Sequence, residues 1–165
     1  MQVRRTDKIK WEAKFHGIEE YMVHAEEFYE KLEKKRGESR GVRRIFLATD
    51  EVNLLDEAKK KYPGYVFVSD NKISQSANLA SRSSEDSLKG VIVDLHLLAR
   101  SDFLVCTFTS NICRLAYEVM QHYHVDASSK VRSVDCGYHW HGQNHNSSGK
   151  SAKMPEYEAA ENIHL

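Results

Sequence analysis

Apolar residues along this chain fall into two alternating rhythms. Ile18, Tyr21, Met22, Ala25, Phe28, Tyr29 and Leu32 recur at helical spacing, with Glu and Lys on the opposite face. The charged stretch from Lys34 to Arg40 then reads as a polar turn. Arg44-Ile45-Phe46-Leu47-Ala48 is a short apolar run of the kind that forms a buried strand. It ends at Thr49-Asp50, which is expected to begin a helix carrying Leu54, Leu55 and Ala58. Pro63-Gly64 breaks that helix, and Tyr65-Val66-Phe67-Val68 is the next strand. Ser69 to Ser84 is rich in Ser and Asn and reads as a surface loop. Leu88, Val91, Ile92, Leu95 and Leu98 phase as a helix, Phe103-Leu104-Val105-Cys106 as a strand, and Ile112, Leu115, Ala116 and Val119 as the helix after it. Strands joined by helices predict an α/β fold with a Rossmann-like, doubly wound parallel sheet. The tail from about Gly142 carries no period and is expected to lack regular structure.

Length narrows this to one domain, since 165 residues sit near the size at which a single core is comfortable. Lys and Arg number 24 and Asp and Glu 24, so overall charge implies no nucleic-acid partner. No apolar run approaches the roughly 18 residues that span a bilayer, and no signal peptide precedes the first charges. The chain is therefore expected to be soluble and to make no membrane contact.

In parallel α/β sheets, ligands sit at the carboxyl ends of strands. That rule gathers three polar motifs on one rim. Val3-Arg4-Arg5-Thr6-Asp7-Lys8 follows what reads as the stump of a strand, and crowds two guanidinium groups, a carboxylate and an ammonium. Arginine's planar fork suits phosphate oxygens, whereas a solvated charge run is the plainer interpretation. Thr49-Asp50-Glu51 is the second motif. Cys106-Thr107-Phe108-Thr109-Ser110-Asn111 is the third, and puts hydroxyls at the mouth of a helix. Such hydroxyls are commonly simple N-caps, and the free N–H groups beside them also attract anions. Asp94 lies beside an apolar helical stripe, either as a solvated flank or as a half-buried acid that needs a partner. No Asp-x-Asp, the pair that metal-dependent transferases use to hold a diphosphate, occurs.

These motifs carry a family resemblance. Val3 to Lys8, the run Phe15-His16-Gly17-Ile18-Glu19-Glu20-Tyr21-Met22, Gly90-Val91-Ile92-Val93-Asp94, Phe103 to Ser110 and Gly142-Gln143-Asn144 resemble the α-1,6-fucosyltransferases of N-glycan cores. The likeness runs from Val3 to about Asn146, with a small insertion near Arg36 to Val42. It implies that residues 1–146 are a GDP-fucose-binding domain, one half of a two-Rossmann GT-B glycosyltransferase, and that 147–165 is a polar tail without a family match. The family moves fucose from GDP-fucose to the 6-hydroxyl of the innermost N-acetylglucosamine, with inversion and without a metal or other cofactor. The resemblance also implies a Golgi-lumen location, and an acceptor-facing half, anchor and stem outside this chain.

Carried over by position, Arg4 resembles the arginine that grips the β-phosphate of GDP. Arg5 is similar to its essential neighbour, which places it among the catalytic residues, and is expected to orient acidic groups and the donor. Asp7 resembles the carboxylate that pins this loop. Lys8 and Glu12 stand four apart and would face one another on a helix. They resemble the lysine and glutamate of the reaction centre, with Glu12 as the base that takes the acceptor hydroxyl's proton. Asp94 is similar to the aspartate that reads the guanine edge, and Ser110 to the serine that bonds the β-phosphate. Thr109 and Asp50 complete the expected donor-binding set, while Glu51 stands where a second Asp is usual. Gln2 replaces a histidine.

Cys106 and Cys113 read, from the residues, as two small apolar side chains, and the resemblance implies a disulfide. Cys136 has no evident partner. His139-x-His141 with His145 lacks the flanking ligands of a zinc site. Asn146-Ser147-Ser148 is a glycosylation sequon, meaningful only in a secretory lumen. Two other functions fit parts of this pattern: a nucleotide-binding module without transferase activity, and a flavodoxin-like interaction domain without the rim chemistry.

Overall fold

The structure is a computed structural model that describes residues 1–5, 15–37, 41–70 and 85–135. In chain order its elements are β1 (Gln2–Val3), α1 (Ile18–Arg36), β2 (Arg43–Phe46), β3 (Ala48–Thr49), α2 (Leu54–Lys61) and β4 (Tyr65–Val68). Then follow α3 (Glu85–Ala99), β5 (Leu104–Cys106), α4 (Asn111–Tyr123), a 3-10 turn (Ser128–Lys130) and β6 (Val131–Ser133). All three strand pairings are parallel: β1 with β3, β2 with β4, and β5 with β6. Leu47 N–H donates to Val68 at 2.8 Å and Ala48 N–H to Met1 at 3.0 Å, so segment 43–49 is held on both edges. β1 in turn packs beside β5. The expected α/β class with parallel strands is what the described residues adopt.

Strand alternation sends side chains to two cores. Val3, Ile45, Leu47, Phe67 and Val105 meet Ile18, Tyr21, Met22 and Ala25 of α1 and Leu54, Leu55 and Ala58 of α2. Ala48, Leu104, Cys106 and Val131 meet Leu98 and Ala99 of α3 and Cys113, Ala116 and Met120 of α4. β5 is buried at every residue, as a strand covered on both faces requires, whereas β4 leaves Val66 and Val68 exposed on one face. Among the described residues no helix is long and apolar enough to cross a membrane.

Several boundaries differ from expectation. Lys34, Lys35 and Arg36 are the last turn of α1 rather than a loop, where cations suit the negative end of the helix. The helix stops at Gly37, which is left-handed at φ 67° and returns its N–H to Glu33 at 3.0 Å. A Cβ at Gly37 meets nothing within 4 Å, so Gly37→Ala is expected to cost only its backbone strain. That is about 1 kcal/mol in urea unfolding, and a change near zero would mean the cap relaxes freely. Thr49-Asp50 does not open α2, which starts at Leu54 behind Asn53, because Asp50 is drawn to the backbone of Arg5. On α3, the predicted core positions Leu88 and Ile92 face outward, whereas Ser87, Gly90, Leu98 and Ala99 are buried. Small residues let α3 approach α4 closely, and the two pack extensively. β6 was not foreseen. The loop from 71 to 84 and the tail beyond 135 lie outside the described residues.

Arg43 is a buried cation at the start of β2. Its Nε and Nη2 donate to the two oxygens of Glu33 at 2.9 and 3.0 Å, and Nη1 donates to the Tyr65 hydroxyl at 2.9 Å. The rings of Tyr29 and Tyr65 lie 5.6 Å from its guanidinium carbon. The Tyr29 hydroxyl clips the same strand, accepting from Arg44 N–H at 2.8 Å and donating to Arg44 C=O at 2.5 Å.

Candidate functional site

A cleft of about 340 Å³ opens where β1 and β3 end. Gln2, Arg4, Thr49, Asp50, Asp94 and Asn111 line it, with Ser87 and Val91 of α3. The strand-end rule thus brings Arg4, Asp50 and Asp94 to one cavity from three separate parts of the sequence. Arg4 Nε stands 3.9 Å from Asp50 Oδ2, and the other Asp50 oxygen accepts from Arg5 N–H at 2.9 Å. One carboxylate therefore fixes the backbone that presents Arg4 and also offsets its charge.

Arg5 turns the other way. It is buried, donates from Nε to the His16 carbonyl at 3.1 Å, and reaches Glu51 at 3.2 Å and Glu57 at 3.4 Å through Nη1. Its guanidinium carbon lies 4.8 Å from the centre of the Phe15 ring. Glu57 also accepts from Lys61 at 2.8 Å, and Lys61 reaches Glu19 at 2.5 Å. Arg5 does not line the cleft. Its place is beneath it, tying the loop after β1 to α2 and to the segment leading into α1. Neither Glu57 nor His16 was singled out in the sequence, where both look like ordinary surface residues.

Asp94 sits in the third turn of α3, half-buried on the wall of the cleft. Burial pushes its carboxyl up to about 6, and the negative charge of Asp70 adds to the shift. An acid in that state wants N–H donors, which would stabilise its ionised form.

The third motif forms a turn between β5 and α4. Ser110 N–H closes it on the Thr107 carbonyl at 2.9 Å, and Ser110 is the N-cap residue of α4. Its side chain makes no capping bond, and the wholly buried Oγ has no hydrogen-bond partner among the described residues. Thr109 is engaged elsewhere, since its hydroxyl donates to Asp135 at 2.5 Å and its N–H to the same oxygen at 3.1 Å. Phe108 N–H donates to the other Asp135 oxygen at 2.7 Å, and the Ser133 hydroxyl donates there at 2.5 Å. Burial alone would raise the Asp135 carboxyl. The hydrogen bonds from Ser133, Thr109 and Phe108 outweigh it and hold the group below the usual carboxylate range. Tyr21 of the first core is buried, and that burial lifts its phenol to about 12.

Sequence reasoning missed Asp135. It lies two residues past β6 (Val131–Ser133), a strand that the sequence does not mark, so no signal pointed to it. Cys106, the last residue of β5, is disulfide-bonded to Cys113 in the first turn of α4, with Cα atoms 5.9 Å apart. Asp7, Lys8 and Glu12 lie outside the described residues, as do Cys136, His139, His141, His145 and Asn146.

Residues 1–139 match the family profile of the alpha-(1,6)-fucosyltransferase N- and catalytic domains. Among similar proteins, an alpha-(1,6)-fucosyltransferase of Drosophila melanogaster is 45% identical over 144 residues, covering 87% of this chain and 23% of the relative. Its counterpart in Caenorhabditis elegans is 41% identical over 143 residues, covering 87% of this chain and 25% of the relative. The chain therefore spans about a quarter of the length of the relatives it matches. With a profile match over most of its length, and with the rim motifs inside it, the chain belongs to the alpha-(1,6)-fucosyltransferase family, a family of enzymes.

Proposed function

We propose that this chain forms the GDP-fucose-binding part of an α-1,6-fucosyltransferase, one Rossmann-like half of a GT-B enzyme. The enzyme would transfer fucose, with inversion and without a metal, to the 6-hydroxyl of the innermost N-acetylglucosamine of N-glycans in the Golgi lumen. The observation that carries this reading is the pairing of Arg4 and Asp94 on one cleft. A guanidinium offers charge-assisted hydrogen bonds to a diphosphate, and a carboxylate accepts from two adjacent N–H groups on guanine. The N-terminus of α4 borders the same cavity through Asn111 and Ile112, and its free N–H groups and dipole favour an anion. Arginine and a helix end can together take the place of a cation at the departing diphosphate. Lys8 and Glu12 remain assigned to the reaction centre, Glu12 as base, with Asp7 and Arg5 ordering the loop that carries them.

Because the chain spans only a quarter of its relatives, a second reading keeps the same site without transfer. This polypeptide alone would then be a GDP-binding module, and the glycan acceptor would need further protein.

Calorimetric titration with GDP and with ADP, in the presence of chelator, tests the donor site. GDP is expected to bind selectively and to survive chelation; no binding, or equal binding of both nucleotides, would sink the reading. Asp94 adds a pH signature. Guanine N–H groups favour the carboxylate, so binding must release the proton that Asp94 carries at and below about pH 6. Affinity for GDP should be full above pH 7 and fall as the pH drops through 6, with proton release visible in buffers of different ionisation enthalpy. In Asp94→Asn the preference for GDP over ADP should shrink by about tenfold and the pH dependence flatten.

A further inference from the structure

Asp135 takes no place in the cleft wall, yet it organises more of the turn before α4 than any other side chain around it. Its Oδ1 accepts from Phe108 N–H and Ser133 Oγ–H, and its Oδ2 from Thr109 N–H and Thr109 Oγ1–H, at 2.5 to 3.1 Å. Two of these donors are backbone N–H groups, so the carboxylate fixes main-chain direction as well as side-chain rotamers. The next residue is Ser110, wholly buried, with a hydroxyl that no other group among the described residues engages. A polar atom left without a partner in a buried turn costs free energy unless something else uses it.

We propose that Asp135 is a positioning residue for the diphosphate of the donor: by clamping Phe108 and Thr109 from β6, it holds Ser110 and the N-terminus of α4 in the orientation that receives the anion. The proposal rests on the donor-site reading above. A carboxylate is needed because all four groups around it donate. Asn at this position would turn an NH2 toward donors and break the clamp while leaving the volume unchanged. Repulsion between Asp135 and the bound diphosphate is limited by those same four hydrogen bonds, which spread its charge over the turn.

The experiment compares GDP and guanosine binding to the full chain and to its Asp135→Asn, Ser110→Ala and doubly substituted forms. Asp135→Asn is expected to weaken GDP by about tenfold and to leave guanosine within about twofold, because only the diphosphate end is displaced. If Asp135 acts through Ser110, the double variant should lose much less than the product of the single losses. The amides of Phe108 and Thr109 should also exchange faster in Asp135→Asn without ligand. Equal losses for GDP and guanosine would mean general destabilisation, and additive losses would mean independent action; either overturns the positioning role. Should Asp135→Asn not fold, Ser133→Ala removes one donor from Asp135 and one acceptor from Phe108 N–H. It is expected to show a smaller loss confined to GDP, and an unchanged GDP affinity would overturn the proposal. The donor-site reading fails differently: the unsubstituted chain would then not bind GDP at all, and the role of Asp135 would fall with it.

Discussion

Arg43→Ala is expected to lower the free energy of unfolding by about 2–4 kcal/mol, a loss on the scale of truncating a buried leucine. The substitution removes a two-pronged ion pair with Glu33, a hydrogen bond to Tyr65 and a cation that lies 5.6 Å from each of two tyrosine rings. The Arg43 side chain is 8% exposed and that of Glu33 21%, so solvent screens the pair weakly. Loss of the cation leaves a carboxylate partly enclosed and uncompensated, and that residue of charge is the main cost. Urea unfolding of the variant checks this. A drop below about 0.5 kcal/mol would show that Glu33 swings out to water and that the pair behaves like an exposed one. Arg43→Met keeps much of the stem packed against the tyrosines, and should lose less than the alanine form.

Arg4→Ala is the substitution expected to hurt ligand binding most, weakening GDP by about 1.5–3 kcal/mol, or roughly 10- to 150-fold. Among the described residues Arg4 is the cation that faces the cleft, while the neighbouring Arg5 is spent on Glu51, Glu57 and the His16 carbonyl. The two arginines are adjacent in sequence and divide the work. The loss should be shared equally by GDP and ADP, since both carry the diphosphate, and should shrink as salt is raised. Arg4→Lys would restore charge without the planar fork and recover only part of the affinity. An unchanged GDP affinity in Arg4→Ala would move the phosphate contact away from Arg4 altogether.

Helices and central strands of this fold were legible because their signals are repetitive. Seven apolar residues at helical spacing mark α1, the apolar run Ile45–Ala48 marks the segment that holds β2 and β3, and Tyr65–Val68 marks β4. β6 gives no such signal: Val131-Arg132-Ser133 becomes a strand only because β5 pairs with it. Context from across the sheet decided that segment, and propensity did not. The same difference separates the site residues. Arg4 and Asp50 could be placed on one rim because each stands at a strand end, so topology alone brings them together; Asp94 reads only as a helix flank or a half-buried acid, and the structure sets it on the same cleft. Asp135 and Arg43 were hidden because a charged residue carries no mark of burial in a single sequence; the partners that neutralise it arrive from elsewhere in the fold. Their importance is visible only in the hydrogen bonds that surround them. Arg5 was placed among the catalytic residues by family likeness, and the structure sets it under the cleft with two glutamates.

Segment 43–49 is bonded on both edges, feeds both cores, and ends in Thr49 and Asp50 on the cleft. A stretch of backbone paired on both edges and the mouth of the site are thus one continuous piece of chain. Any molecule that draws Arg4 and Asp50 together also tightens the piece whose release opens the whole fold. Occupancy and resistance to unfolding are then a single thermodynamic quantity seen from two ends.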